Sequence, residues 1–123
     1  MKRDLGLVRD LLLVIEEKQQ HQPIQLSPND GIDYDNKDIQ YNLSLMLDAQ
    51  LITGQNLTTF TDLEILINSI TWQGHDFLDY ARNKEVWEIA NDKAESKGSE
   101  LRKLPFDVAR ALLVESAKKL FEF

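Results

Sequence analysis

Apolar residues recur along this chain at two periods, and the switches between them mark out the elements. Leu5, Val8, Leu12 and Ile15 fall at helical spacing, with Leu7, Leu11 and Val14 widening the stripe. That pattern predicts a helix over Arg3–Gln20, covered on more than one side. It should stop before Pro23, since the residue preceding a proline is pushed out of helical geometry. Pro23-Ile24-Gln25-Leu26 reads as a short strand, and Ser27-Pro28-Asn29-Asp30-Gly31 as a turn. Ile39, Leu43, Met46 and Leu47 then define the buried stripe of a second helix, capped by Asp35 or Asn36. Its other face carries Lys37, Tyr41, Ser44, Leu45 and Asp48.

A hairpin is expected next. Leu51-Ile52-Thr53 reads as a strand, Gly54-Gln55-Asn56 as a turn, and Glu64 to Trp72 as the returning strand on the strength of its β-branched residues. Thr61-Asp62-Leu63-Glu64 also fits a capping box, which would start a short helix instead. Thr71 is a good N-cap for the following helix, whose Phe77, Leu78 and Ala81 point to the core. Gly74 sits in its first turn, where helix must pass close to strand. Asn83 caps a further helical segment with Val86, Trp87, Ala90 and Ala94 as its apolar positions, and Lys93 to Lys103 is loop-like. Pro105 suits the first position of a last helix with a stripe of Val108, Ala109, Leu112, Leu113, Ala117 and Leu120. Trp72 and Trp87, beside apolar neighbours, read as core or half-buried anchors.

Composition narrows the class. At 123 residues the chain is one domain, able to bury a core without staples. It has no cysteine, hence no disulfide and no thiolate metal site. No apolar run approaches the roughly 20 residues that span a bilayer, and the charged N-terminus lacks a signal pattern, so a cytoplasmic location and no membrane contact are expected.

Charge is unevenly spread. The net value is −7, and from Asp38 to Ala81 there is no Lys or Arg, against Asp38, Asp48, Asp62, Glu64, Asp76 and Asp79. Duplex binding rests on cations that neutralise phosphates. The second helix offers only Lys37, with Gln40 and Ser44, and the hairpin Gly54 to Asn68 offers no cation. That surface disfavours nucleic acid.

Catalytic chemistry is sparse. His75 and Asp79 share a helical face (i, i+4), with Asp76 beside them, which is the nearest approach to a metal or acid–base group. The one other histidine is His21. A structural role for His75, bonding Asp79 or a neighbouring backbone group, is the better reading. Gly31, Asp33 and Asp35 lack the glycine and closing glutamate of a calcium loop. No phosphate-cradling glycine loop or nucleophile elbow is present. The expectation is a protein that is not an enzyme and that takes no cofactor and no metal.

Two runs carry a family resemblance. Ile39-Gln40-Tyr41-Asn42-Leu43-Ser44-Leu45-Met46-Leu47-Asp48-Ala49-Gln50-Leu51-Ile52 is similar to the pattern I-x-Y-x-L-x-L-L-x-x-A-G-L-I. Ile70-Thr71-Trp72-Gln73-Gly74-His75-Asp76-Phe77-Leu78-Asp79, with Val86-Trp87 downstream, is similar to L-T-W-x-G-H-x-F-L-D…V-W. Together they resemble a family of bacterial and phage proteins, domain of unknown function 2513. The resemblance implies an α+β, mostly α, winged-helix-like fold with a small hairpin wing, and it implies no activity. It makes Thr71, Trp72, Gly74, His75, Phe77, Asp79 and Trp87 motif residues of the structure. Residues 1–81 would form the winged-helix core and 82–123 a C-terminal helical extension. Gln50 departs from the pattern, standing where the family tends to have glycine. The helix expected before a recognition helix would fall in Pro23 to Asn36, which is rich in breakers.

The function expected from these readings is a non-enzymatic interaction module, in a phage or prophage setting on the strength of the resemblance. It would bind a protein partner or a second copy through Tyr41, Ser44, Leu45 and Asp48, and through the wing residues Leu57, Thr59, Phe60 and Asp62. A DNA-binding transcriptional regulator is the alternative. If the C-terminal helices fold back over the second helix instead, Tyr41 and Leu45 become ordinary core residues.

Overall fold

A computed structural model describes residues 1–18 and 21–121. Over these residues the order is α1 (Leu5–Lys18), α2 (Asn36–Asp48), β1 (Ile52–Asn56), β2 (Ile65–Ile70), α3 (Trp72–Ala81), α4 (Lys84–Ser96) and α5 (Phe106–Leu120). Single 3-10 turns stand at Pro28–Asp30 and Leu101–Lys103. The class is α+β and mostly helical.

Helix α1 is the centre of the core. Leu7, Leu11, Leu12 and Ile15 are wholly buried, and Leu5 and Val8 nearly so; each such side chain contributes about 1.5–3 kcal/mol relative to an exposed one. It packs against α2, α3, β2 and the second 3-10 turn, which is why its apolar stripe is so wide. The helix begins at Leu5 rather than Arg3 because the Asp4 carboxylate accepts the N–H groups of Gly6 at 2.8 Å and Leu7 at 3.2 Å. Residues 19 and 20 of the expected helix lie outside the described residues.

The strand expected at Pro23–Leu26 is reduced to one bridge. Ile24 and Ile67 exchange backbone bonds at 2.9 and 2.8 Å. Pro23 has no N–H to extend the ladder, and the Leu26 carbonyl is taken by the Gln40 side chain at 2.7 Å. The chain then turns through Pro28–Asp30, fixed by a capping box between Ser27 and Asp30.

Helix α2 buries Ile39, Leu43 and Met46, while Leu47 is half-exposed. Two polar side chains share the buried face. Gln40 is 4% exposed and Asn42 wholly buried. Asp35 occupies the N-cap position without a side-chain cap bond. At the other end Leu51 N–H reaches the Met46 carbonyl at 2.9 Å and Gln50 N–H the Leu47 carbonyl at 3.1 Å. This pair of bonds is a Schellman motif, and it requires a left-handed residue after the cap. Gln50 supplies it at φ 61°.

Strands β1 and β2 pair antiparallel from Ile52 opposite Ile70 to Asn56 opposite Ile65, with a bulge between Thr53 and Gly54. Gly54-Gln55-Asn56, expected as the turn, is strand. Gly54 permits the bulge because an added Cβ would collide with the Leu66 carbonyl. The hairpin continues beyond the strands: Leu57 N–H bonds the Glu64 carbonyl and Thr59 N–H the Asp62 carbonyl, each at 2.8 Å. Phe60 and Thr61 are therefore the tip. The alternative helix from Thr61 does not form, because the Thr59 hydroxyl accepts from Asp62 N–H at 3.1 Å and holds the turn.

The returning strand stops at Ile70, two residues short of expectation, because Thr71 caps α3 through Gly74 N–H at 3.1 Å. Trp72 is thereby lifted out of the sheet and is 86% exposed, contrary to the anchoring role expected of it. Gly74 meets the end of α2 so closely that a Cβ would fall on the Leu51 carbonyl. Phe77, Leu78 and Ala81 are wholly buried, with the Phe77 ring 5.1 Å from that of Phe106. Asn83 caps α4 by accepting from Val86 N–H at 3.1 Å. Trp87 is half-buried beneath the Arg9 guanidinium, 5.4 Å from its ring.

Helix α4 runs on to Ser96, so the first part of the expected Lys93–Lys103 loop is helical. Pro105 is the cap of α5 rather than its first residue. Val108, expected in the buried stripe, is 47% exposed, while Ala109, Leu113 and Ser116 face inward. Arg110 pairs with Asp76 and Lys93 with Glu115, tying α5 to α3 and α4. No helix over the described residues is long and apolar enough to cross a membrane.

Candidate interaction surface

Helices α4 and α5 pack on each other and on α3, and the second 3-10 turn leans on α1 and α4. The principal neighbours of α2 are α1 and the hairpin. Helices α4 and α5 are not among these principal neighbours.

The expected interaction residues divide in two. On α2, Tyr41 and Leu45 are half-buried, Asp48 is exposed, and the Ser44 hydroxyl is committed to the Tyr41 carbonyl at 2.6 Å. At the hairpin, Leu57 is 39% exposed and Phe60 stands free of the protein, with Thr59 and Asp62 exposed on either side of the tip. A groove joins the hairpin to the first turns of α2. It holds about 370 Å³ and is lined by Gln25, Ser27, Asn36, Gln40, Asp62 and Glu64, among others. Tyr41, Ser44, Leu45 and Asp48 do not line it.

Gln40 is the residue whose role the sequence reading missed. The sequence names it with Lys37 and Ser44 among the few groups that α2 offers to a duplex, yet its amide is buried and hydrogen-bonded. Nε2 donates to the Leu26 carbonyl, and Oε1 accepts from Ile65 N–H at 2.9 Å. One side chain thus fastens the loop end of the hairpin's ladder, at Ile65, to the chain preceding α2. A glutamine among Ile39, Leu43 and Met46 was the available signal, since a polar group on a buried stripe must find partners.

The electrostatics of the surface follow from which acids are neutralised. Asp76 is paired with Arg110, and Asp79 lies 3.5 Å from Arg82. Arg82 chiefly grips Glu16 with two bonds of 2.8 and 2.7 Å, which lower the Glu16 carboxyl below its ordinary range. Asp62 and Glu64 have no ion-pair partner among the described residues, although Glu64 accepts from the Gln25 amide at 2.7 Å. The nearby Lys18 is engaged with Asp30 at 2.7 Å. Lys37 follows the groove-lining Asn36 on the first turn of α2.

His75 is exposed on α3 and lies within electrostatic reach of Glu16. Among the described residues its imidazole makes no hydrogen bond, to Asp79 or to backbone. Nor do these residues gather three or more His, Asp or Glu side chains in a metal-holding group. Of the C-terminal aromatics, Phe121 is 55% exposed and Phe123 lies outside the described residues.

Comparison with known proteins gives one family and one relative. Residues 2–100 match the family model described as "Hypothetical protein (DUF2513)". A protein of Haemophilus influenzae, described as "Uncharacterized protein", is 30% identical over 101 residues, covering 82% of this chain and 85% of the relative. No solved structure matches.

Proposed function

The chain belongs to the DUF2513 family, and from that premise we propose that it is a winged-helix interaction module that binds a protein through its hairpin and the outer face of α2. The winged-helix reading is supported by element order. An opening helix, a bridge at Ile24, a short 3-10 turn, α2 and the hairpin follow the succession of a winged helix whose second helix has shrunk to one turn. The breakers between Pro23 and Asn36 account for that shrinkage. Residues 1–81 are then the winged-helix core and 82–123 its helical extension.

The observation that carries the functional reading is Phe60, a large apolar ring standing in solvent at the tip of a hairpin held by regular bonds. An aromatic so placed gains nothing for the fold and offers about 1.5–3 kcal/mol to whatever covers it. The DNA-binding alternative would place α2 and the wing against phosphates, where residues 38–81 bring six acids and no cation. Gln40, one of the few polar side chains that α2 would offer to a duplex, is buried.

The experiment that separates the two is anisotropy of a labelled random-sequence duplex in about 50 mM salt, where phosphate contacts are strongest. The proposal expects no binding at high protein concentration. Micromolar binding that weakens steeply with added salt would move DNA to first place.

A further inference from the structure

The groove beside the hairpin loop specifies what kind of protein segment the hairpin can hold. Two carboxylates, Asp62 and Glu64, stand on its rim with no ion-pair partner among the described residues. Asn36 and Gln25 add polar groups, and Leu63 adds an apolar wall. Two residues along the same turn is Phe60, fully exposed, and beyond it Leu57. The place is thus both an acidic receptacle and an apolar anchor, carried on one hairpin that Gln40 ties down at Ile65, beside the loop.

We propose that this groove and tip receive a cationic segment of a partner protein, one Arg or Lys side chain lying between Asp62 and Glu64 while Phe60 covers an adjacent apolar side chain. The inference rests on the protein-binding reading above and adds the chemistry of the partner. Charge complementarity selects the occupant. A second copy of this chain, net −7, would be repelled on approach. A nucleic-acid strand brings phosphates to the same carboxylates and is repelled likewise. A guanidinium fits best, because its planar fork can bond two carboxylates or a carboxylate and an amide carbonyl together. No Lys or Arg lines the groove among the described residues; Lys37 follows the lining residue Asn36 on α2.

The test is selection of a displayed library of random peptides on the full chain, followed by titration of the selected peptides against three variants. Asp62→Asn with Glu64→Gln removes the charge at constant shape, Phe60→Ser removes the anchor, and Val108→Ser on α5 is the control. All of these side chains are exposed or half-exposed, so circular dichroism should report unchanged folds. The expected result is enrichment of peptides that pair Arg or Lys with an apolar residue. Their affinity should fall at least tenfold in the charge variant and in the anchor variant, and stay unchanged in the control. Neutral or acidic peptides that need Phe60 but ignore the carboxylates would overturn the cationic partner and leave the protein-binding reading standing. Peptides indifferent to both variants would overturn this inference and the hairpin reading together.

Discussion

Gln50 is where a single residue works against its backbone. Its φ of 61° is one that L side chains adopt at a cost of roughly 1–2 kcal/mol. The Schellman bonds from Gln50 and Leu51 back to Leu47 and Met46 nevertheless hold it there. Glycine carries no such penalty. Gln50→Gly should therefore stabilise the chain by about 1 kcal/mol, less the added entropy of a freer unfolded state. Chemical denaturation should show a higher midpoint at an unchanged slope; a lower midpoint would mean that the Gln50 side chain makes a contact worth more than the strain. Gly74 is the converse case. Its helix passes so near the Leu51 carbonyl that its lack of a side chain was legible from the sequence as a close approach, and the structure identifies the atom it approaches.

At the scale of elements, periodicity located every helix and misplaced the hairpin's turn. The stripes of α1, α3 and α4 stood out because burial on one face forces apolar residues into a period of 3.6. Thr71 and Asn83 marked their starts because a cap oxygen is required there. The turn was misread because Gly54-Gln55-Asn56 has turn composition, whereas Gly54 serves a bulge and the true tip, Phe60-Thr61, has no turn signature. It is held instead by the Thr59 hydroxyl. Trp72 was misread for a related reason: an aromatic after a β-branched run looks like strand until the Thr71 cap takes precedence. The expected interaction set was only partly gathered. Asp62 lines the groove and Phe60 stands beside it, while Tyr41, Ser44, Leu45 and Asp48 form a separate part of the α2 surface. Gln40 is the tie that positions the wing. Gln40→Leu would strip partners from the Leu26 carbonyl and Ile65 N–H, at about 1–3 kcal/mol for each group left unsatisfied. Hydrogen exchange should show the loss as faster exchange of Ile65 and its hairpin neighbours; exchange unchanged from the parent would mean the wing is held by other contacts.

For the whole molecule, the decisive feature is how charge and exposed apolar surface are shared out. Of the nine cations in residues 82–123, five form ion pairs among the described residues: Arg82 with Glu16, Lys93 with Glu115, Arg102 with Asp4, Lys103 with Glu100 and Arg110 with Asp76. Among the described residues Asp38, Asp62 and Glu64 form no ion pair, and Asp62 and Glu64 belong to the same loop as the protruding Phe60. Net charge could be counted from the sequence, but which acids are neutralised depends on partners up to 98 residues apart, as for Arg102 and Asp4, and no local pattern reveals them. The central claim is that the wing tip is where a protein partner sits. Its most direct test is a photo-crosslinking amino acid placed at position 60, and in a second strain at exposed Ala111 on α5, irradiated in the cells that naturally encode the protein. The account predicts a discrete protein adduct from position 60 that is absent from position 111 and disappears when Asp62→Asn and Glu64→Gln are added. No adduct at position 60, or the same adducts from both positions, would contradict it.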